Sequence, residues 1–356
     1  MNQFRQKAIT RAIVGERSRL LVLSVVLASC LSGCSREGRF VEQQFRMHTL
    51  VEIQVRAPKD DEQNARAAMA AAFDAIARVE HELSWFENDN DLARIRTAAP
   101  GTIIPVSQWT WDAIAYARTI TRETDGLYDV CAGPVIRLWG FGPDTNTHVP
   151  TDNDLQAALQ RTGSDKLVML DGQRAVSTVV AGVEMDLSSL AAGVAVDRAA
   201  EALLAAGYSN FLVNGGGEIR VSSTGAKTWQ IGIQIPAEDA TTGEFLTNRV
   251  VKLKNGSVST SGSYRNFFKA GTNSYAHIVN PKTGRPVMSD IVSITTLASN
   301  CTVADAWSTA LFTMPAEQAV ALADQRGDVA CLVVQAPVQG SKAFRFTASK
   351  TFDWSR

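Results

Sequence analysis

Cysteine is scarce in this 356-residue chain. The five present, Cys30, Cys34, Cys131, Cys301 and Cys331, include no Cys-x-x-Cys pair, which argues against a zinc ribbon and a dense disulfide framework. An excess of one charge sign is also lacking, since 35 Lys and Arg face 36 Asp and Glu for a net charge of −1. What imbalance exists sits at the start, where Arg5, Lys7, Arg11, Arg17 and Arg19 outnumber Glu16. The remainder is mildly acidic and gives no electrostatic reason to expect nucleic-acid binding. The apolar stretch at residues 20–31 falls short of the roughly 20 residues of a comfortable membrane span. No repeat or low-complexity segment is visible. With 45% hydrophobic residues, the composition is that of a globular body of one large or two medium domains.

The basic opening followed by an apolar stretch fits a secretory signal. It runs into Leu31-Ser32-Gly33-Cys34, which resembles a bacterial lipobox. That resemblance implies a signal peptide over residues 1–33, cleavage before Cys34 and a lipid on its thiol. A polar tether over residues 34–46 and one domain over 47–356 follow. Ser35 rather than Asp favours the outer membrane over the inner, with the body facing the periplasm. The three remaining cysteines read as small buried hydrophobes.

Along the body, Thr49, Val51, Ile53 and Val55 alternate with their neighbours and predict a strand over 48–56. Met69, Phe73, Ile76 and Leu83 share one helical face and predict a helix over 61–83. Further helices are expected over 107–123, 193–206 and 303–314, with Pro315 opening a fifth. A hairpin is expected around Asp171-Gly172. Strands are expected over 211–213, 229–235, 250–253, 257–260, 291–297 and 329–335. Helices and strands intermix without a βαβ period. The expected class is α+β, with mixed, mostly antiparallel sheets, packed helices and two intertwined lobes.

Several segments are suited to chemistry. Asp186, Ser188 and Ser189 precede small residues leading into a helix, which suits either phosphate binding or tight helix packing. Asn214-Gly215-Gly216-Gly217-Glu218 can cradle a ligand or merely turn the chain. Because Glu218-Ile219-Arg220-Val221 resumes a strand, it is not a Rossmann turn. Ser259 to Arg265 is a hydroxyl-rich turn with one cation. His277, just before the Pro281 and Gly284 turn, is the best proton acceptor in this half of the chain. Thr302 is placed to cap a helix with Asp305 at its third position. Asp305, Ser308 and Thr309 then share a face as hard oxygen ligands for Mg²⁺, their shell completed by substrate phosphates.

In order, these motifs (Met47-His48-Thr49, Leu83-Ser84-Trp85, Tyr128-Asp129, Gly133-Pro134, Leu138 to Gly142, Asp186 to Ser189, the glycine turn, the hydroxyl turn, His277 to Gly284 and Ala304 to Thr309) resemble the FAD:protein FMN transferase (ApbE-like) family from about Met47 to Val334. The resemblance implies transfer of FMN from FAD to a Thr or Ser hydroxyl of a target protein, with AMP leaving. It implies acceptor flavoprotein subunits of membrane redox complexes as partners and Mg²⁺, or Mn²⁺ in its place, as cofactor. Carried over by position, Met47, Trp85, Leu127, Tyr128, Asp129, Asp186, Ala192 and Val279 contact FAD, with Trp85 stacked on the isoalloxazine. Asp305, Thr309, Ser308 and the backbone of Ser189 hold the metal, and His277 accepts the proton of the incoming hydroxyl. The family usually has Gly where this chain has His48, and Lys or Glu where it has Ala192. An FAD pyrophosphatase, or a flavin-binding lipoprotein without turnover, would use the same site.

Overall fold

Alternating apolar residues build the central element, an eight-stranded antiparallel sheet. A computed structural model describes residues 37–353, except 144–145, 235–244, 264–265, 272, 342 and the side chains of 245–249. Cys34 and the leader lie outside the described residues, as do Tyr264 and Arg265. The strands are β1 (Glu37–Arg46), β2 (Thr49–Pro58), β3 (Ile104–Pro105), β4 (Leu167–Leu170), β5 (Ala175–Thr178), β6 (Phe211–Asn214), β7 (Ile219–Ser222), β8 (Trp229–Gln234), β9 (Phe245–Leu253), β10 (Gly256–Gly262), β11 (Phe267–Ala270), β12 (Asn273–Ala276), β13 (Val279–Asn280), β14 (Arg285–Pro286), β15 (Ile291–Ala298), β16 (Ala330–Gln335) and β17 (Arg345–Ala348). The helices are α1 (Glu62–Leu83), α2 (Asp91–Thr97), α3 (Gln108–Glu123), α4 (Gly133–Leu138), α5 (Asp152–Leu159), α6 (Ser188–Ala205), α7 (Cys301–Phe312) and α8 (Ala316–Arg326).

The large sheet has the order β1-β2-β6-β7-β10-β15-β16-β17, and β3-β5-β4 form a second, smaller sheet. Along β16, Cys331 and Val333 enter one core while Ala330, Leu332 and Val334 enter the other. A strand buried on both faces therefore reads as an unbroken apolar run. On one face lie α1, α6 and α7, and on the other the β8-β9 ribbon. The inward face of α1 carries Met69, Phe73, Ile76, Val79 and Leu83, and each large side chain so buried contributes about 1.5–3 kcal/mol. Small residues on α1 and α6 let these helices pack side by side.

The α+β class stands as expected. Three local expectations do not. The tether through residue 46 gives way to β1, which pairs with β2 from Glu37↔Pro58 to Arg46↔Thr49. It is an edge strand whose outward Arg39 and Gln43 give it a polar composition, as charged edges commonly have. Helix α6 starts at Ser188, before the expected Gly193. Helix α7 is capped by Asn300, whose Oδ1 accepts the Val303 N–H at 2.9 Å, and not by Thr302. Thr302 instead donates its hydroxyl to Asp197 at 2.7 Å.

Candidate active site

Helices α6 and α7 approach closely because Gly193 has no side chain. A Cβ there would meet the Cys301 carbonyl at 2.5 Å and the Asp305 Cβ at 2.8 Å. The contact lets the Gly193 N–H donate to Asp305 Oδ2 at 2.8 Å. In a regular helix that N–H closes on the carbonyl of Ser189, so the Ser189 carbonyl shares its donor at best. The start of α7 is held by buried Asp197 on α6. Its carboxylate accepts from the backbone N–H groups of Cys301 and Thr302, both at 2.8 Å, and from Arg220 Nη1 at 2.6 Å.

Asp305 is buried, and its carboxyl is pushed well above the usual carboxylate range. Loss of water is the main cause, and the neighbouring charge of Glu218 adds to it. Around it stand hydroxyls. Ser261 Oγ lies 3.0 Å from Thr309 Oγ1 and 2.6 Å from Ser308 Oγ, and Ser259 Oγ lies 3.5 Å from Glu218 Oε1. Asp305, Thr309, Ser261, Ser189 and Glu218 line a cavity of ≈ 340 Å³, with no Lys or Arg among its described lining residues. Hard oxygens and a desolvated carboxylate with an acidic neighbour fit a divalent ion such as Mg²⁺.

His277 lines the same cavity. It follows β12, and its backbone N–H donates to the Asn266 carbonyl at 3.1 Å. Its Nδ1 lies 3.2 Å from that same carbonyl oxygen. A carbonyl only accepts, so Nδ1 carries the proton and Nε2 keeps a lone pair. Burial pulls the imidazole below its ordinary value, against the opposing Asn266 contact and the charge of Asp186. The ring is therefore neutral and basic at neutral pH.

A second cavity of ≈ 440 Å³ adjoins the first, both being lined by Ser188 and Glu218. Its walls include Met47, His48, Trp85, Phe86, Ala192 and Gly216. Met47 and His48 form the two-residue turn between β1 and β2, both with positive φ (51° and 60°). This is the pattern of a type I′ hairpin turn. The Met47 N–H donates to Glu80 Oε1 at 2.6 Å. Gly216, at φ 102°, lies where a Cβ would strike Thr49, so the glycine turn lets β6–β7 abut the hairpin. Trp85 is nearly enclosed. Its Nε1 donates to Glu184, and Gly142 fits against its six-membered ring.

The expected residues divide between the two cavities. Leu127, Tyr128, Asp129, Asp186, Ser189, His277, Val279, Asp305 and Thr309 line the first, and Met47, Trp85 and Ala192 the second. Ser308 reaches neither. It is fully buried, and its hydroxyl donates to the Asp305 carbonyl at 2.8 Å. Three residues on from Asp305, it braces Ser261 rather than facing the cavity. The Asp129 carboxylate is committed to the N–H groups of Cys131 and Ser164 and to the Ser164 hydroxyl, so it caps the chain. Tyr128 is buried with its hydroxyl 2.8 Å from Ser189 Oγ, and burial raises its pKa strongly. Sequence reasoning singled out the segments that carry Ser261 and Glu218 without naming either as a site residue, and it missed Asp197 as the anchor of α7. The signal for Ser261 was the alternation of hydroxyls along β10. Among the described residues, the one group of three metal-ligating side chains is the exposed His81, Glu87 and Asp89, which the Asp305 site does not include.

The ApbE family profile matches residues 47–333. The chain belongs to the ApbE family. An FAD:protein FMN transferase of Salmonella typhimurium is 31% identical over 275 residues, covering 76% of this chain and 77% of its own. One from Vibrio cholerae is also 31% identical, over 78% of this chain and 82% of its own. Among solved structures, the flavin transferase ApbE from Vibrio cholerae superposes with TM-score 0.75 at 28% identity, covering 89% of this chain and 98% of that one. The ApbE protein of Thermotoga maritima gives TM-score 0.76 at 29% identity, over 88% and 98%. The ApbE profile starts at Met47, the first residue of the hairpin turn. The edge strand β1 lies outside the matched span.

Proposed function

We propose that this ApbE-family chain is an FAD:protein FMN transferase that joins FMN, taken from FAD, to a Thr or Ser hydroxyl of a target protein and releases AMP. The observation that carries this reading is one cavity lined both by a neutral imidazole, its Nδ1 turned to the Asn266 carbonyl, and by an oxygen-rich wall around Asp305. Mg²⁺, or Mn²⁺, held by Asp305, Thr309 and the backbone of Ser189, would neutralise the charge that grows on the diphosphate. The protein's own part is positional. His277 Nε2 takes the proton as the acceptor oxygen bonds to the FMN phosphorus and the bond to AMP breaks, a role that typically contributes about 10²–10⁴-fold. Nδ1–H on the Asn266 carbonyl keeps the ring in the required tautomer. Two adjoining cavities give the two halves of a dinucleotide separate places, with the diphosphate between them.

Several finer assignments rest on the sequence. These are lipid attachment at Cys34, a periplasm-facing position on the outer membrane, and acceptors that are subunits of redox complexes. Among the described residues no helix is long and apolar enough to cross a membrane. To test the activity, the mature chain is mixed with FAD, Mg²⁺ and a flavin-acceptor domain, then resolved by denaturing electrophoresis. Fluorescence that stays with the acceptor supports transfer. Free FMN alone means that water takes the place of the hydroxyl, as in a pyrophosphatase. FAD left intact means a binding protein.

A further inference from the structure

Three hydroxyls behind the oxygen-rich wall form a chain whose hydrogens can be counted. Ser259 and Ser261 share one face of β10, two residues apart, and that face meets α7. Ser308 Oγ lies 2.8 Å from the Asp305 carbonyl oxygen and 2.6 Å from Ser261 Oγ, and Ser261 Oγ lies 3.0 Å from Thr309 Oγ1. Each hydroxyl brings one hydrogen, and the carbonyl brings none. Ser308 therefore donates to the carbonyl. It then has no hydrogen for Ser261, so Ser261 donates to Ser308. Ser261 in turn has none left for Thr309, so Thr309 donates to Ser261. No other assignment gives all three contacts a hydrogen. Ser259 Oγ, 3.4 Å from Ser308 Oγ, brings its own hydrogen and leaves the count unchanged.

The open end of this chain is Thr309, which lines the first cavity, whereas Ser308 is fully buried and does not reach it. With its hydrogen turned to Ser261, Thr309 Oγ1 offers only lone pairs on its other sides. A cation is held by a lone pair and repelled by a hydroxyl hydrogen. We infer that Ser261 is a positioning residue for the divalent-ion site: its hydroxyl, directed by Ser308 and the Asp305 carbonyl, keeps the Thr309 hydrogen away from the ion and makes Thr309 Oγ1 a preformed oxygen ligand. This deepens the metal-dependent transferase reading and rests on it. An ion arriving at Thr309 then breaks no hydrogen bond and turns no hydroxyl, so less of its binding energy goes into ordering the site. A positive charge at Thr309 Oγ1 also polarises that O–H, and the polarisation strengthens each bond down the chain to the α7 backbone.

The test uses the mature chain, Ser261→Ala, Ser308→Ala and the double variant, with urea unfolding to check that each is folded. Mn²⁺ is titrated by electron paramagnetic resonance, alone and with ADP, which supplies a diphosphate but no flavin. Ser261→Ala removes the acceptor of the Thr309 hydrogen, and Ser308→Ala removes the group that directs Ser261. The expected result is Mn²⁺ binding weakened about three- to tenfold by either change. The double variant should bind no more weakly than Ser261→Ala, because both substitutions cut one chain. Losses that add in the double variant mean independent contributions and overturn the inference, as does wild-type affinity in Ser261→Ala. A larger loss in Ser308→Ala than in Ser261→Ala would make Ser308 itself a ligand, and overturns it too. If the wild type binds Mn²⁺ neither alone nor with ADP, the metal reading beneath the inference falls as well. The two failures are thereby told apart.

Discussion

Replacing Gly193 with Ala is a one-methyl change whose sign separates two physical effects. In an isolated helix the substitution would favour the folded state by about 1 kcal/mol, because Ala loses less backbone freedom. In this protein the new Cβ would lie 2.5 Å from the Cys301 carbonyl and 2.8 Å from the Asp305 Cβ. Both neighbours are main chain or stem atoms that cannot swing aside, so α6 and α7 must separate. Overpacking of that kind costs about 1–3 kcal/mol. Separation also stretches the 2.8 Å bond from the Gly193 N–H to Asp305 Oδ2, and a net hydrogen bond contributes about 0.5–1.5 kcal/mol. Against the propensity gain, the net expectation is a loss of about 0.5–3.5 kcal/mol. Urea unfolding at neutral pH measures it, and Mn²⁺ titration followed by electron paramagnetic resonance reads whether Asp305 has moved. A variant as stable as the wild type, with the same Mn²⁺ affinity, would refute the close-contact reasoning.

Other consequences follow from the same geometry. Asp305→Asn removes a carboxyl held well above its ordinary range by burial and by Glu218. A raised folded-state value means that stability is full below the ordinary carboxylate value and falls as the pH rises from there towards the folded one. The ion-free variant should therefore melt above the wild type at neutral pH and lose the Mg²⁺-induced rise, as thermal scans with and without Mg²⁺ would show. His277→Ala should bind FAD normally and transfer flavin about 10²–10⁴-fold more slowly. In the wild type, protonation removes the Nε2 lone pair, so activity falls with pH. Because burial lowers the imidazole value below 6.5, the midpoint of the acid limb in a rate–pH profile should lie below 6.5. Asp197→Ala leaves Arg220 and the first turn of α7 without their acceptor, and unfolding should register a loss of about 3–5 kcal/mol.

The parts of the molecule that were legible in the sequence are those where local chemistry alone sets the outcome. The periodic face of α1, the alternation in β2 and the unbroken apolar run of β16 each carry their own pattern. The residues around Asp305 were legible as hard oxygen donors at helical spacing. What was not legible depended on partners far along the chain. Ser308 looks equivalent to Thr309 in a helical projection, yet β10 covers it and turns its hydroxyl inward. Asp197 lies more than a hundred residues from the backbone groups that it anchors. Residues 37–46 read as a tether because Glu37, Arg39, Glu42, Gln43, Gln44 and Arg46 make the segment polar in composition, and only pairing with β2 reveals the strand. The positive φ of Met47 and His48 was equally hidden, since it is a property of the closed hairpin and not of the tripeptide.

The central claim is that a base at 277 and an oxygen-lined cation site at 305 act together on one dinucleotide. Its most direct measurement is the ratio of AMP released to flavin bound covalently, taken by chromatography and intact-mass analysis of an acceptor domain after reaction with FAD and Mg²⁺. The account predicts one AMP for each flavin attached through a Thr or Ser oxygen, and neither product when Mg²⁺ is chelated. AMP released with no adduct, or an adduct formed at full rate without a divalent ion, would contradict it.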